Sequence, residues 1–145
     1  MEIRTATVTD VADVLHLLEG NGLPVMGVSD HVDTLLVAHD EGRVIGSAGL
    51  ELYGDSALLR SVVVDRLARG SGVGQRLTVA ALDLARQHGI GDVFLLTTTA
   101  EKFFPRFGFE RTNREEVPDA VRNSVEFTSA CPASAVVMRK HLGTL

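Results

Sequence analysis

Hydrophobic positions recur along this chain at two periods, and the switches between them lay out its elements. Near the N-terminus Ile3, Ala6 and Val8 form a weak apolar pattern that predicts a first edge strand over Glu2–Thr7. From Thr9 or Asp10, either of which suits an N-cap, the period lengthens. Val11, Val14, Leu15 and Leu18 share one helical face, and Gly20-Asn21-Gly22 ends the helix. Leu23–Val28 is apolar but broken by Pro24 and Gly27. It reads either as a loop folded over a cleft, with Met26 turned to a substrate, or as a loop packed on the core. Ser29–Asp33 has room for one helical turn.

Strand character then returns. Thr34–Ala38, Arg43–Tyr53 and Ser56–Val64 read as three antiparallel strands, joined by turns at Asp40-Glu41-Gly42 and Gly54-Asp55. The third strand carries Leu58, Leu59 and the β-branched run Val62-Val63-Val64, which suits a buried central position. After a polar turn and three alternate glycines, helical spacing resumes at Val73, Leu77, Ala80, Ala81, Leu84 and Ala85, and Gly89-Ile90-Gly91 stops it. Val93–Thr97 is a further buried strand. A strand–helix–strand crossover makes it a parallel neighbour of the central strand. Ala100–Phe107 predicts a short helix kinked or cut by Pro105. Glu110–Val121 is polar and irregular, and Ser124–Thr128 and Ala135–Arg139 read as two last strands. The pattern predicts one α/β domain over residues 1–145 with a mixed sheet.

Composition narrows the function. At 145 residues, with 45% hydrophobic and 23% charged positions, the chain can bury a full core. A net charge of −5 argues against nucleic acid or an anionic membrane as partner. No apolar run reaches membrane-spanning length, and MEIRTATVTD resembles no targeting peptide, so a cytoplasmic location is expected. Cys131 is the only cysteine, and the five histidines show no paired ligand spacing, so no metal is expected.

The candidate chemistry lies at Gly70, Gly72 and Gly74, between the central strand and the first turn of the long helix. Unpaired N–H groups and the positive end of the helix dipole meet there, and glycine lets a phosphate approach the backbone. A phosphate-binding loop of the Gly-x-x-x-x-Gly-Lys-Ser/Thr type is excluded because no lysine follows. The dinucleotide fingerprint fails because Gln75 stands where its third small residue belongs. A pyrophosphate cradle of another kind remains.

Arg69-Gly70-Ser71-Gly72-Val73-Gly74, after a hydrophobic strand and before a helix, resembles the acyl-CoA motif Gln/Arg-x-x-Gly-x-Gly/Ala of the GNAT N-acetyltransferase superfamily. Ala100 to Phe109, with Phe104, Gly108 and Phe109, is similar to that superfamily's Ala-x-x-x-Tyr-x-x-x-Gly-Phe signature and falls where it should. More narrowly, Leu59-Arg60-Ser61 and Leu95–Ala100 resemble the N-acetylglutamate-synthase-like branch. The tail Glu126–Pro132 resembles the small arsenic-resistance N-acetyltransferases. The fold implied is α/β of the α+β kind: a mixed, mostly antiparallel sheet with a central, splayed parallel pair, flanked by helices.

The resemblance implies acetyl-CoA as co-substrate, a small-molecule amine as partner, and a homodimer as in many relatives. It places backbone groups of Val62 and Val64 along the pantetheine arm. Those of Gly70, Ser71, Gly72, Val73, Gly74 and Gln75 hold the pyrophosphate. Arg69 either adds charge there or is solvated. Thr97 stands where many relatives have Asn, and either reaches the cofactor or is a buried strand threonine. The N–H of Val63 or Val64 is the candidate oxyanion donor.

Phe104 replaces the usual tyrosine of the acyl-CoA site, so the customary general acid is absent. A thiolate with a conjugate-acid pKa near ~8.5 still leaves tolerably, and water can protonate it. The rival class is a non-catalytic acyl-CoA sensor; the rival within the class is an acetyltransferase of a protein or peptide amine. Glu51 is either a base acting through water or an exposed strand glutamate, and His31 is a second candidate base. Arg60, with Ser61 beside it, either clamps the carboxylate of an amino-acid-like substrate or pairs internally with Glu51 or another acid. Cys131 is a buried inert thiol or lines the acceptor pocket, and alone it cannot form a multi-thiol arsenical site. The expected reaction is transfer of acetyl to an amino acid or an amino-acid analogue.

Overall fold

The computed structural model describes residues 1–130 and 134–143. Its strands are β1 (Glu2–Thr5), β2 (Leu35–Asp40), β3 (Arg43–Tyr53), β4 (Ser56–Val64), β5 (Asp92–Thr97), β6 (Glu110–Arg111) and β7 (Val136–His141). They form one sheet in the order β1-β2-β3-β4-β5-β7-β6. Every neighbouring pair is antiparallel except β4 and β5. The helices α1 (Val11–Gly20), α2 (Val73–Gln87) and α3 (Asp119–Arg122) flank it.

The hairpin between β2 and β3 follows from its turn residues. Glu41 and Gly42 both take positive φ, 52° and 76°, the combination whose twist matches the flanking strands. The two-residue alternation of the strands then sorts the core. Leu36, Ala38, Ala57, Leu59, Val93 and Leu95 pack with the buried stripe of α2, in which Leu77 and Ala81 are 0% and 1% exposed. On the alternate residues, Leu35 and Val37 pack with Val14 and Leu18 of α1, and Leu58 and Phe94 pack with Val121 of α3. So β4 is covered on both faces, which explains its near-continuous apolar run.

Three local expectations change. Ser124–Thr128 is not a strand: Glu126–Ala130 is a π-helical turn, and the Ser124 carbonyl accepts both the N–H (3.0 Å) and the hydroxyl (2.8 Å) of Thr128. Those local bonds compete with a ladder, and β7 already has β5 and β6 as its neighbours. Within the segment read as irregular, Glu110 and Arg111 pair with Arg139 and Met138. A two-residue strand is too short to show a period. The helix expected over Ala100–Phe107 is confined to one 3-10 turn, Phe104–Phe107, because Pro105 removes a donor at its start. Among the described residues no helix is long and apolar enough to cross a membrane.

Candidate active site

The site begins where the parallel pair comes apart. β4 and β5 pair at Ser56↔Asp92, Ala57↔Val93 and Leu58↔Phe94, and at no later position. Beyond that point each strand stays with its outer neighbour: β4 with β3 as far as Val64↔Gly46, and β5 with β7 as far as Thr97↔Val136. A bulge sharpens the divergence. Ser61 and Val62 together stand opposite Ala48, and Ser61 takes a left-handed φ of 59°. The Ser47 hydroxyl satisfies the displaced Ser61 carbonyl at 2.7 Å. No glycine or proline stands in the bulged strand itself, although Gly46 and Gly49 of β3 flank the bulge from across the ladder.

The opening is a cleft of about 730 Å³. Residues Leu59 to Val64 line one wall and Leu95 to Ala100 the other, with Gly22-Leu23-Pro24, Phe103, Phe104, Arg106 and Glu126 completing it. The Asp65 amide donates to the Ile45 carbonyl at 2.7 Å. By the alternation of an antiparallel ladder, Val63 turns its peptide groups to β3 and Val64 turns its own away from β3, into the gap. The Val64 carbonyl there accepts the Arg69 Nε at 3.2 Å.

At one end of the cleft sits the start of α2. Asp65 accepts the Leu67 amide (3.1 Å) and the Ser71 hydroxyl donates to the Ala68 carbonyl (2.5 Å), which fixes the turn ahead of the glycines. Gly70 and Gly72 have φ of 85° and 84°, with Gly72 as N-cap. A Cβ on Gly70 would meet nothing within 4 Å, and one on Gly72 only the Gln75 side chain, at 3.8 Å. Both glycines are therefore required by conformation and face open space. The first amide satisfied within the helix is that of Arg76, to the Gly72 carbonyl at 3.0 Å. The N–H groups of Val73, Gly74 and Gln75 have no intrahelical acceptor and sit at the positive end of the dipole. This donor set and open cradle fit a pyrophosphate.

Several expected cofactor residues share this cleft: Val62, Val63, Val64, Arg69, Gly70, Gly72, Val73, Gly74, Gln75, Thr97 and Phe104 all line it. Ser71 does not, since its hydroxyl is turned to Ala68. The exposed Arg69 bridges to the Asn21 side chain, tying the end of α1 to the glycine loop. Thr97 is 9% exposed, and its hydroxyl oxygen accepts the amides of Ala100 (2.9 Å) and Thr99 (3.4 Å). Phe104 is buried in an aromatic cluster, with its ring 5.1 Å from Phe103 and 5.8 Å from Phe109.

Toward the other end lies a buried charge cluster. Arg60 lines the cleft; its Nη1 donates to Glu51 Oε2 at 2.8 Å, its Nε to the Ser61 hydroxyl at 3.2 Å, and its Nη2 to the Pro24 carbonyl at 3.4 Å. Glu51 is 1% exposed, so the open strand position is excluded, and its Oε1 accepts the Tyr53 hydroxyl. His31 Nε2 lies 3.7 Å from the same oxygen. Burial, then the hydrogen bond to Glu51, pushes the Tyr53 hydroxyl well above its ordinary value, so it stays a donor. Glu51 does not itself line the cleft. Met26 is 51% exposed and outside the lining, whereas its loop neighbours Leu23 and Pro24 are inside it. Cys131 lies outside the described residues. Sequence reasoning missed Glu126 and Tyr53 as members of this region, because a lone glutamate in an expected strand and a strand-end tyrosine carry no distinguishing signal.

The acetyltransferase (GNAT) domain family matches residues 31–111, more than half of the chain. An uncharacterized N-acetyltransferase of Chlorobaculum tepidum is 28% identical over 127 residues, covering 82% of this chain and 81% of that protein. The amino-acid acetyltransferase of Mannheimia succiniciproducens is 30% identical over 135 residues, covering 87% of this chain but only 31% of the longer relative. Among solved structures, N-acetylglutamate synthase from Neisseria gonorrhoeae, complexed with coenzyme A and N-acetyl-glutamate, superposes with a TM-score of 0.85 at 23% identity. That likeness covers 99% of this chain and 35% of the synthase, and it shows a shared fold. A family match across the strands and helix that build the cleft makes this chain a member of the GNAT acetyltransferase family.

Proposed function

We propose that the chain moves the acetyl group of acetyl-CoA to the amine of an amino acid or a close analogue. One observation carries the reading: a single cleft joins an anion-binding helix start to a buried guanidinium, Arg60, across a gap lined by strand backbone. The amino-acid acetyltransferase relative and the synthase holding coenzyme A and N-acetyl-glutamate support the acceptor class.

Each part of the chain has a task. The amides of Val73, Gly74 and Gln75, with the open cradle of Gly70 and Gly72, hold the pyrophosphate. Acetyl-CoA supplies the acyl group as a thioester, whose thiol has an unperturbed pKa near ~8.5 and so leaves without a strong acid. That fits Phe104, which has no proton to give. The N–H of Val64, turned into the gap, stabilises oxygen charge as it develops, the kind of donor worth about 10²–10³ in kcat. Arg60 has five N–H groups, of which three are engaged as described; the other two serve the acceptor's carboxylate. Glu51 holds the guanidinium in place, and Ser61 beside it completes the carboxylate site.

The test is thiol release from acetyl-CoA across the standard amino acids and their decarboxylated amines, with coenzyme A binding followed by thermal shift. Release with particular amino acids and not with the matching amines is expected. Binding without release for any amine would sink the reading. A Gly72→Val variant, strained at φ 84°, is expected to weaken coenzyme A binding by about tenfold or more, roughly 1.4 kcal/mol.

A further inference from the structure

Tyr53 and Glu51 stand two residues apart on β3 and so share one face of the sheet. Across the ladder Tyr53 faces Ser56 and Glu51 faces Leu58, and Arg60 follows on the same face of β4, opposite Gly49. Glu51 therefore meets Arg60 on the diagonal, a span that long side chains reach. The result is a chain of three groups that ends at the cleft. The Tyr53 hydroxyl donates to Glu51 Oε1, and Glu51 Oε2 accepts Arg60 Nη1 at 2.8 Å. Of the three, Arg60 alone lines the cleft. Among the described residues no other group comes within hydrogen-bond distance of Oε1, His31 Nε2 being 3.7 Å away. The body of the tyrosine is fixed as well. Its ring packs on Leu58, Phe94, Val117, Val121 and Val137, the cluster that joins the sheet to α3.

A carboxylate held at one oxygen can still turn about its last bond, and the guanidinium bonded to it follows. Held at both oxygens it has one orientation, and so has Arg60. The guanidinium also has little room beside it: a Cβ on Gly27 would lie 3.2 Å from Nη1, and the Pro24 carbonyl takes Nη2 at 3.4 Å. We propose that Tyr53 is a positioning residue for the acceptor's carboxylate, acting through Glu51 on Arg60. The inference rests on the reading of acetyl transfer to an amino acid and deepens it, by naming what aims the carboxylate site. Tyr53 neither touches the acceptor nor gives up its proton. It carries the rigidity of the α3 packing to the one group of the chain that faces the cleft.

The experiment compares wild type, Tyr53→Phe, Glu51→Met/Arg60→Leu and the triple variant on the best amino acid from the panel, with coenzyme A affinity measured alongside. Tyr53→Phe is expected to raise the acceptor KM about tenfold, the scale of one hydrogen bond to a charged group, while kcat and coenzyme A affinity stay within about twofold. Adding Tyr53→Phe to Glu51→Met/Arg60→Leu should shift KM by less than about twofold, because no pair remains to be aimed. A tyrosine that only satisfies Glu51 gives a Tyr53→Phe protein of lower melting temperature with the acceptor KM of wild type, and that result overturns the proposal. A tenfold rise that persists in the triple variant overturns it too, since the hydroxyl then acts without the pair. If Tyr53→Phe fails to fold, which lost coenzyme A binding reports, Tyr53→Gln decides, because it keeps an N–H donor at a shorter reach. A raised KM with kcat kept supports the proposal, and a wild-type KM overturns it. Failure of the underlying reading looks different: a wild-type protein that binds coenzyme A but acetylates nothing defeats acetyl transfer, and a wild-type KM in Glu51→Met/Arg60→Leu defeats the Arg60 site. The inference falls with either.

Discussion

The Glu51–Arg60 and Asp10–Arg4 pairs make the same 2.8 Å contact between a carboxylate and a guanidinium, in very different surroundings. Both side chains of the first pair are 2% exposed; in the second, Asp10 is 8% and Arg4 35% exposed. Asp10 also accepts the Thr7 amide (2.8 Å) and hydroxyl (3.0 Å), closing a capping box ahead of α1, and it lies 3.2 Å from His39 on β2. Its partners stitch β1, α1 and β2 together, and that is a complete structural reason for its charge. Glu51 and Arg60 also join β3, β4 and the loop at Pro24, but do so fully buried, where the cost of desolvating both charges is far larger. Packed apolar residues of similar volume would fill that interior as well or better. On the proposed function, the cleft-lining Arg60 of this buried pair is kept for the acceptor's carboxylate.

The comparison breaks most visibly if one member of the buried pair is removed. Glu51→Ala leaves a guanidinium in the interior without its carboxylate, and a loss of about 3–5 kcal/mol is expected from chemical denaturation. The double variant Glu51→Met/Arg60→Leu should recover most of that stability and still bind coenzyme A. Its KM for the acceptor should rise far more than its kcat falls, because the carboxylate site is gone. Equal acceptor kinetics in the double variant and wild type would show the pair to be structural after all.

Asp10→Asn should cost less, about 1–3 kcal/mol, the range for a cap and a charged hydrogen bond. The Arg4 hydrogen bond first, then the Thr7 amide and His39, hold the Asp10 carboxyl well below the usual carboxylate range. A depressed folded value means that its stabilisation is full above the unfolded value near ~3.9, and is lost as pH falls from there toward the folded value. The stability gap between wild type and Asp10→Asn should therefore be constant near neutrality and shrink below pH ~4. A gap that widens in acid would contradict this. Acceptor kinetics should not change, which is the contrast with Glu51.

These pairs also mark what the sequence could and could not reveal. A guanidinium ahead of Val62-Val63-Val64 is legible as a buried charge needing an anion, and Glu51 was one of the partners that composition allowed. Choosing between an internal partner and a bound one requires distances. The long elements were readable because period and punctuation agreed: β4 runs over Ser56–Val64 as expected, and α2 starts at Val73, directly after the second of the three glycines. The bulge at Ser61 was not readable, since a serine at φ 59° looks like any other strand serine. Nor was the turn at Glu126–Ala130, where local bonds to the Ser124 carbonyl outweigh weak strand character. A carboxylate of the cleft lining, Glu126, was hidden there.

The exposed pair Arg43–Asp65 sets the lower end of the scale. Its contact is 3.3 Å, and the side chains are 60% and 22% exposed, so solvent screens most of the attraction. Arg43→Ala should change stability by no more than about 0.5 kcal/mol. Asp65→Ala should cost about 1 kcal/mol, because its other oxygen, Oδ1, accepts the Leu67 amide and caps the turn leading to the glycine loop. Loosening that turn should weaken coenzyme A by roughly fivefold if the same free energy is lost from the bound state. Partner-specific costs would then separate within a single ion pair: the arginine dispensable, the aspartate needed for the loop it caps. If Arg43→Ala instead costs as much as Asp10→Asn, burial does not rank these pairs, and the case that Glu51 and Arg60 are kept for the acceptor loses its physical basis.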